Sequence, residues 1–345
     1  MNHRYALPLG VILTCAVPAT LGDTMDDCLL LAMRSAAPST TVAELRELCA
    51  TQASSEPPPA LSVEAVAQQR TAAAQAAGSE GAMQTRMALQ RYSRDNPFTI
   101  TALRPNYILP VVYTKDPYNR PGADIEWDDI EAQFQLSLQV GLFENLLGDN
   151  GHLSVGYTAR SFWQAYNNDD SSPFRNTDHE PELIFTLEND WEIFGFRNVA
   201  NQFIINHQSN GRSGDLSRSW NRLIFNTIFE RERLALSLRT WYRLREDKKD
   251  GPDDPRGDDN PDIEHYLGHF ELLAAWEQRQ NVFSLQLRNN LRSDNRGAVE
   301  LAWSFPLSGR IKGYIKYFNG YGESLLDYDQ STESVGIGFL ISDWL

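Results

Sequence analysis

Three residues in the middle of the chain have the types and spacing needed for nucleophilic chemistry. Phe203, Ile205, His207 and Ser209 are spaced by two, so in a strand they share one face. A second run, Asn221, Leu223, Phe225, Thr227 and Phe229, has the same period and the same mostly apolar character. The residues between, GRSGDLSRS, are turn-forming. A hairpin of the two runs would bring Asn221 beside His207 and Ser209. A serine hydroxyl is a weak nucleophile until a base takes its proton, and an imidazole can do so near neutral pH. The amide oxygen of Asn221 could fix the imidazole's tautomer, as a carboxylate does in the common triad. A neutral amide stabilises an imidazolium less than a carboxylate, so further electrostatic help is expected, and a bound cation is one source. Taken alone, His-x-Ser is a common structural pair. The chain has no Gly-x-Ser-x-Gly elbow, which argues against an α/β-hydrolase.

The elements that must carry these residues are strands. From about residue 98 onward no run of 18 apolar residues occurs, so no transmembrane helix is expected. Short segments alternate instead: Phe134, Leu136, Leu138 and Val140; Leu234, Leu236 and Leu238; Phe283, Leu285 and Leu287; Val299, Leu301, Trp303 and Phe305; Ile311, Gly313, Ile315 and Tyr317. A soluble sandwich would share this pattern with its apolar faces inward. A membrane barrel has it inside out. Two details favour the barrel. The polar faces carry long Gln, Arg, Asn and Glu side chains able to fill a polar interior, and aromatics recur near strand ends, as at Trp241/Tyr242. The final segment, Val335 to Leu345, alternates as barrel C-termini commonly do.

The chain has 345 residues, 41% hydrophobic and 11% aromatic, and a net charge of −15. That balance excludes nucleic acid as an expected partner, since basic patches supply most of that affinity, and it suits a divalent cation. Residues 1–22 read as a signal peptide, with Arg4 followed by an apolar stretch. Thr14 before Cys15 departs from a lipobox, which argues against lipidation. Export leaves Cys28 and Cys49, which favours a disulfide closing a small helical segment over 23–50. Residues 51–90 read as a low-complexity linker, and 91–345 as the barrel domain.

The run His207-Gln208-Ser209-Asn210-Gly211-Arg212-Ser213, followed by Ser217-Arg218-Ser219-Trp220-Asn221-Arg222, resembles the signature of the outer membrane phospholipase A family. So do Ser171-Ser172-Pro173-Phe174-Arg175, Asn260-Pro261-Asp262 and Gly320-Tyr321-Gly322-Glu323-Ser324-Leu325, in family order across residues 98–345. The resemblance implies an all-β protein, a twelve-stranded antiparallel transmembrane barrel with a short helical or disordered N-terminal extension. It implies calcium-dependent hydrolysis of phospholipid acyl esters at sn-1 and sn-2 in the Gram-negative outer membrane, by a homodimer. Ser209 would be the nucleophile, His207 the base and Asn221 the orienting group. Calcium would be held by the backbone carbonyl of Arg212 and the hydroxyl of Ser217 from one subunit and by Ser171 from the other. Two positions depart from the family pattern. Gly214, followed by Asp215, stands where an acid is frequent, which bears on a second calcium site that includes Asp259. Ala159 stands where the family can place glutamine on the dimer face. The acidic loop 246–262 reads as a solvated loop. The alternatives are a non-enzymatic porin or adhesin barrel and a soluble secreted lipase.

Overall fold

The structure is a computed structural model that describes Thr41, Met83, Arg86, Met87 and residues 99–115, 117, 125–251, 254, 257–308 and 311–345. The chain divides into two units, Met1–Gln69 and Arg70–Leu345, and the sheet belongs to the second. The signal segment, most of the linker and the expected Cys28–Cys49 bridge lie outside the described residues.

The strands are β1 (Ile100–Ala102), β2 (Asn106–Lys115), β3 (Ile130–Phe143), β4 (His152–Trp163), β5 (Phe174–Glu188), β6 (Glu192–Ile193) and β7 (Phe196–Ser209). They continue with β8 (Ser219–Arg231), β9 (Leu234–Leu244), β10 (Phe270–Gln278), β11 (Asn281–Asn289), β12 (Gly297–Ser308), β13 (Ile311–Tyr321) and β14 (Ser331–Ser342). All pairings are antiparallel, and β14 pairs with β2, so the sheet closes on itself. β1 and β2 lie end to end along β3, with Ala102 opposite Leu138 and Tyr107 opposite Gln135. Pro105, which has no N–H to offer, lies in the gap between them. β6 only extends the tip of the β5–β7 hairpin. The closed barrel therefore has twelve strands, as expected, and a sandwich is excluded.

The alternation resolves inside out. Leu136, Phe203, Ile205, Leu301, Ile337 and Ile341 are exposed, while their chain neighbours Gln135, Asn206, Ala302 and Leu340 are buried. A soluble protein rarely bares so large a continuous apolar surface, and a lipid-facing barrel must. Trp276, Phe283, Trp303 and Phe305 form a stacked outward run with centroid spacings of 5.8, 5.9 and 4.7 Å. Among the described residues no helix is long and apolar enough to span a bilayer.

The interior is filled by charge pairs rather than water alone. Arg104 bridges Glu180 and Glu182 at 3.0 and 2.7 Å, Arg222 meets Glu180 at 3.0 Å, and Arg239 meets Glu182 at 2.9 Å. Removing one member of such a buried set leaves an uncompensated charge, at a cost of about 3–5 kcal/mol. One part of this network lies directly behind the candidate site. Arg222 donates to Asn206 at 2.9 Å and to Gln208 at 3.3 Å and lies 4.0 Å from the Trp220 ring centroid, while Trp220 Nε1 donates to Gln208 at 2.8 Å. These inward residues alternate with His207, Ser209 and Asn221, so the interior network locks the register that sets the outward ones.

Candidate active site

β7 and β8 pair with Phe203 opposite Phe225, Ile205 opposite Leu223, His207 opposite Asn221 and Ser209 opposite Ser219. The apolar pairs form a lipid-facing ramp that ends in the polar pairs. The Phe203 and Phe225 rings touch, with centroids 5.2 Å apart. His207 Nδ1 and Asn221 Oδ1 are hydrogen-bonded at 2.8 Å. The hairpin anticipated from period-two spacing thus brings His207, Ser209 and Asn221 onto one outward patch.

The turn between these strands is held from within. The buried Asn210 accepts the Arg218 N–H at 2.9 Å and the Arg212 N–H at 3.3 Å, and it donates to the Leu216 carbonyl at 2.8 Å. Gly211 and Gly214 have φ of +64° and +63°, the left-handed region that glycine enters without steric cost. On the other side of β7, His179 of β5 lies opposite Ser209. Continuing that register sets Pro181 opposite His207, where β5 has no N–H to donate.

The residues expected to hold a cation fall on two turns. Arg212 and Ser217 belong to the β7–β8 turn. Ser171, with φ +59°, belongs to the β4–β5 turn. The Ser217 and Ser219 hydroxyls both donate to Asp259 Oδ2, at 2.8 and 3.0 Å, and Lys249 Nζ lies 2.5 Å from Oδ1. Burial pushes the Asp259 carboxyl up, but the Lys249 contact and the two serine hydroxyls outweigh it and hold the group below its usual value. The Arg212 guanidinium donates to the carbonyls of Phe174 and Arg175 at 3.0 and 2.6 Å.

The acidic loop after β9 is more than a solvated run. Asp258 pairs with Arg243 at 2.5 Å, Asp259 holds the two serines, and Glu246 accepts a hydrogen bond from Asn221 Nδ2 at 2.7 Å. The reading of charge runs as solvent-facing missed these contacts. One signal was available: Asn221 pairs with Leu244, so residue 246, two further on, keeps the same outward parity. His179 was also missed, since it belongs to no recognisable local motif, and Asn210, inside the quoted run, was given no role of its own.

The model of one protein family, Phospholipase A1, matches residues 83–341. The curated "Phospholipase A1" of Proteus vulgaris is 35% identical over 253 residues, 72% of this chain and 83% of that protein. That of Escherichia coli K12 is 34% identical over the same shares. Among solved structures, the Salmonella typhi outer membrane phospholipase dimer with bound calcium superposes with a TM-score of 0.66 at 33% identity, covering 72% of this chain and 94% of that one. Outer membrane phospholipase A from Escherichia coli gives the same score and identity over 72% and 100%. With a family match over most of its length and relatives about one third identical over most of theirs, the chain belongs to the phospholipase A1 family.

Proposed function

We propose that this protein hydrolyses the acyl esters of membrane phospholipids from the lipid-facing wall of its barrel, in the outer membrane, as a calcium-dependent homodimer. The observation that carries the reading is the 2.8 Å contact between His207 Nδ1 and Asn221 Oδ1, on the outward face shared with Ser209. Nδ1–H donates to the amide oxygen, which leaves the Nε2 lone pair free. Nε2 takes the Ser209 proton as Oγ attacks the acyl carbonyl carbon. The same nitrogen returns that proton to the departing glycerol oxygen, giving an acyl-enzyme and a lysophospholipid. Water then attacks the acyl carbon with His207 again as base, the bond to Ser209 Oγ breaks as His207 returns the proton to that oxygen, and fatty acid leaves. The exposed Phe203, Ile205, Leu223 and Phe225 give an acyl chain an apolar approach to Ser209 without leaving the bilayer.

The donor set fits a hard cation. Ser217 spends its hydrogen on Asp259, so its oxygen lone pairs are left to face outward, and oxygen-only ligands suit calcium. The Arg212 carbonyl and the Ser217 hydroxyl would hold the ion with Ser171 of the partner subunit. When bound, calcium supplies positive charge for the oxyanion that develops at the attacked carbonyl. Asp259, already neutralised in part by Lys249, supports Ser217 in this scheme. A porin reading is weakened by the Arg–Glu network that fills the barrel behind the site. The test is fatty-acid release from phosphatidylcholine mixed micelles across a calcium titration. Release that saturates with calcium supports the reading, and a purified folded barrel inert at every calcium concentration contradicts it.

A further inference from the structure

A serine–histidine–asparagine site lacks the negative charge that a carboxylate would set against the imidazolium. We propose that Glu246 supplies that charge here, as a positioning residue acting through Asn221. The inference rests on the triad reading above.

An ionised carboxylate only accepts hydrogen bonds, whereas an amide has one face that donates and one that accepts. Glu246 Oε1 lies 2.7 Å from the Asn221 side-chain nitrogen. The carboxylate therefore dictates which end of the amide it meets, and the amide oxygen is left to face His207, 2.8 Å away. An acceptor at Nδ1 requires the proton on Nδ1, so Nε2 is the free base. A flipped amide would set its NH2 against Nδ1 and its oxygen against the carboxylate. Glu246 excludes that state by repulsion between acceptors.

The charge adds to the orientation. When His207 takes the serine proton, a positive ring forms one amide away from a half-buried carboxylate. The amide, held between the two, polarises in the direction that stabilises the ring. Other charges near the relay do not duplicate this. His179 on β5 faces Ser209. Ser219 and Asn221 on β8 are neutral. Arg222 turns into the barrel onto Glu180, and Arg212 is held by the β5 carbonyls. Arg245 and Asp247 flank Glu246 but are exposed, and Lys249 is paired with Asp259.

The test uses the full chain in phosphatidylcholine mixed micelles at saturating calcium, with kcat and KM measured from pH 5 to 9. Glu246→Ala is expected to lower kcat about tenfold, the size of one charge-assisted hydrogen bond, with KM changed less than about twofold. Glu246→Gln keeps an acceptor without the charge, so it should lose less. In both variants the acid limb of kcat/KM should move measurably to lower pH, because the imidazolium has lost a negative neighbour. Asn221→Asp restores a charge directly beside His207. It should recover activity in the Glu246→Gln background but not beside native Glu246, where two carboxylates would share one proton. A role confined to holding the loop would lower activity without moving the pH limb and without this rescue, and that result overturns the proposal. So does a Glu246→Ala enzyme with wild-type kcat and an unmoved limb. Ser209→Ala is the control that separates the two readings: if it stays active the triad itself is wrong, and if it is dead the outcome at Glu246 judges the relay alone.

Discussion

His179 on β5 and Ser209 on β7 are register partners on the outward face of the barrel. On a wall open to lipid, only such cross-strand neighbours can shape the space around a nucleophile. His179 Nδ1 shares a 2.7 Å hydrogen bond with the Tyr157 hydroxyl, which fixes the ring. Its ring carbon lies 3.7 Å from where a Cβ on Gly211 would stand. His179→Ala should therefore raise KM for micellar phospholipid several-fold while kcat changes little, because the ring bounds the site but takes no proton. Tyr157→Phe should give a smaller effect of the same kind. Steady-state kinetics on both variants checks this, and an effect confined to kcat would assign His179 a different role.

Asn221→Ala should be milder than the loss of either catalytic side chain. Asn221 orients His207 and carries the link to Glu246, but exchanges no proton with substrate. An activity loss of about ten- to a hundredfold in kcat is expected, well short of the roughly 10⁴-fold seen when a triad base is left in the wrong tautomer. A loss as complete as that of Ser209→Ala would mean that the amide does more than orient.

Asp259 links the turn proposed to hold the cation to pH. Its folded pKa lies below the usual carboxylate value because of Lys249, Ser217 and Ser219 acting against burial. A depressed pKa contributes stability that is present above the unfolded value of about 3.9 and is lost as pH falls through the folded one. The Ser217 contact should therefore survive at pH 5 and fail only below about pH 4. Lys249→Ala removes the cation already on Asp259, so calcium should reach half-maximal activation at several-fold lower concentration. Calcium titrations of activity at pH 7 and pH 5 measure both effects. An unchanged half-saturation in Lys249→Ala would separate Asp259 from the metal.

How far the sequence reached depended on the range of each contact. Strand period and parity are local, and they were enough to predict an inside-out barrel and the His207–Asn221 pairing. The Asp259 contacts were hidden because a loop of mixed charge has no period from which to read direction, and Glu246 was legible only once the β8–β9 register had set its parity. The N-terminal boundary was hidden for a similar reason. Arg86 was assigned to a linker, yet it donates to the carbonyls of Ala102, Leu103 and Asp343 at 3.1, 2.9 and 3.2 Å, and to that of Trp344. Met87 packs with Val199 and Ala200. A lone arginine in an alanine-rich run gives no hint that it will tie the first strand of a barrel to its last residues.

That arginine makes a prediction about the extension. Deleting residues 23–82 should leave a folded, active barrel, because the sequence of the linker carries no core-forming periodicity. Arg86→Met should destabilise the barrel by about 2–4 kcal/mol, since charge-assisted hydrogen bonds contribute about 1.5–3 kcal/mol each and the carbonyls would lose their donor. Guanidinium unfolding midpoints compare the two. A deletion that fails to insert into membranes would show the extension to be integral.

Dimerisation offers a means of restraint for a hydrolase embedded in its own substrate. Arg212 and Ser217 lie on one turn and Ser171 on another, so calcium would bind the assembled pair best, and mass action then couples ion and dimer. Ala159 lies between Leu136 and His179 on the outward face and offers no side-chain hydrogen bond, so the calcium-free dimer should be weak. Sedimentation and hydrolysis measured together should show activity rising with protein concentration and calcium shifting the population to dimer. A monomer active at full rate would contradict this.

The proposed chemistry stands on Ser209 as the nucleophile. The direct measurement is fatty-acid release from phosphatidylcholine mixed micelles at saturating calcium by purified Ser209→Ala beside wild type, with folding of both confirmed by circular dichroism. The variant should lose at least about a thousandfold in rate with the barrel intact. Hydrolysis within tenfold of wild type would contradict it.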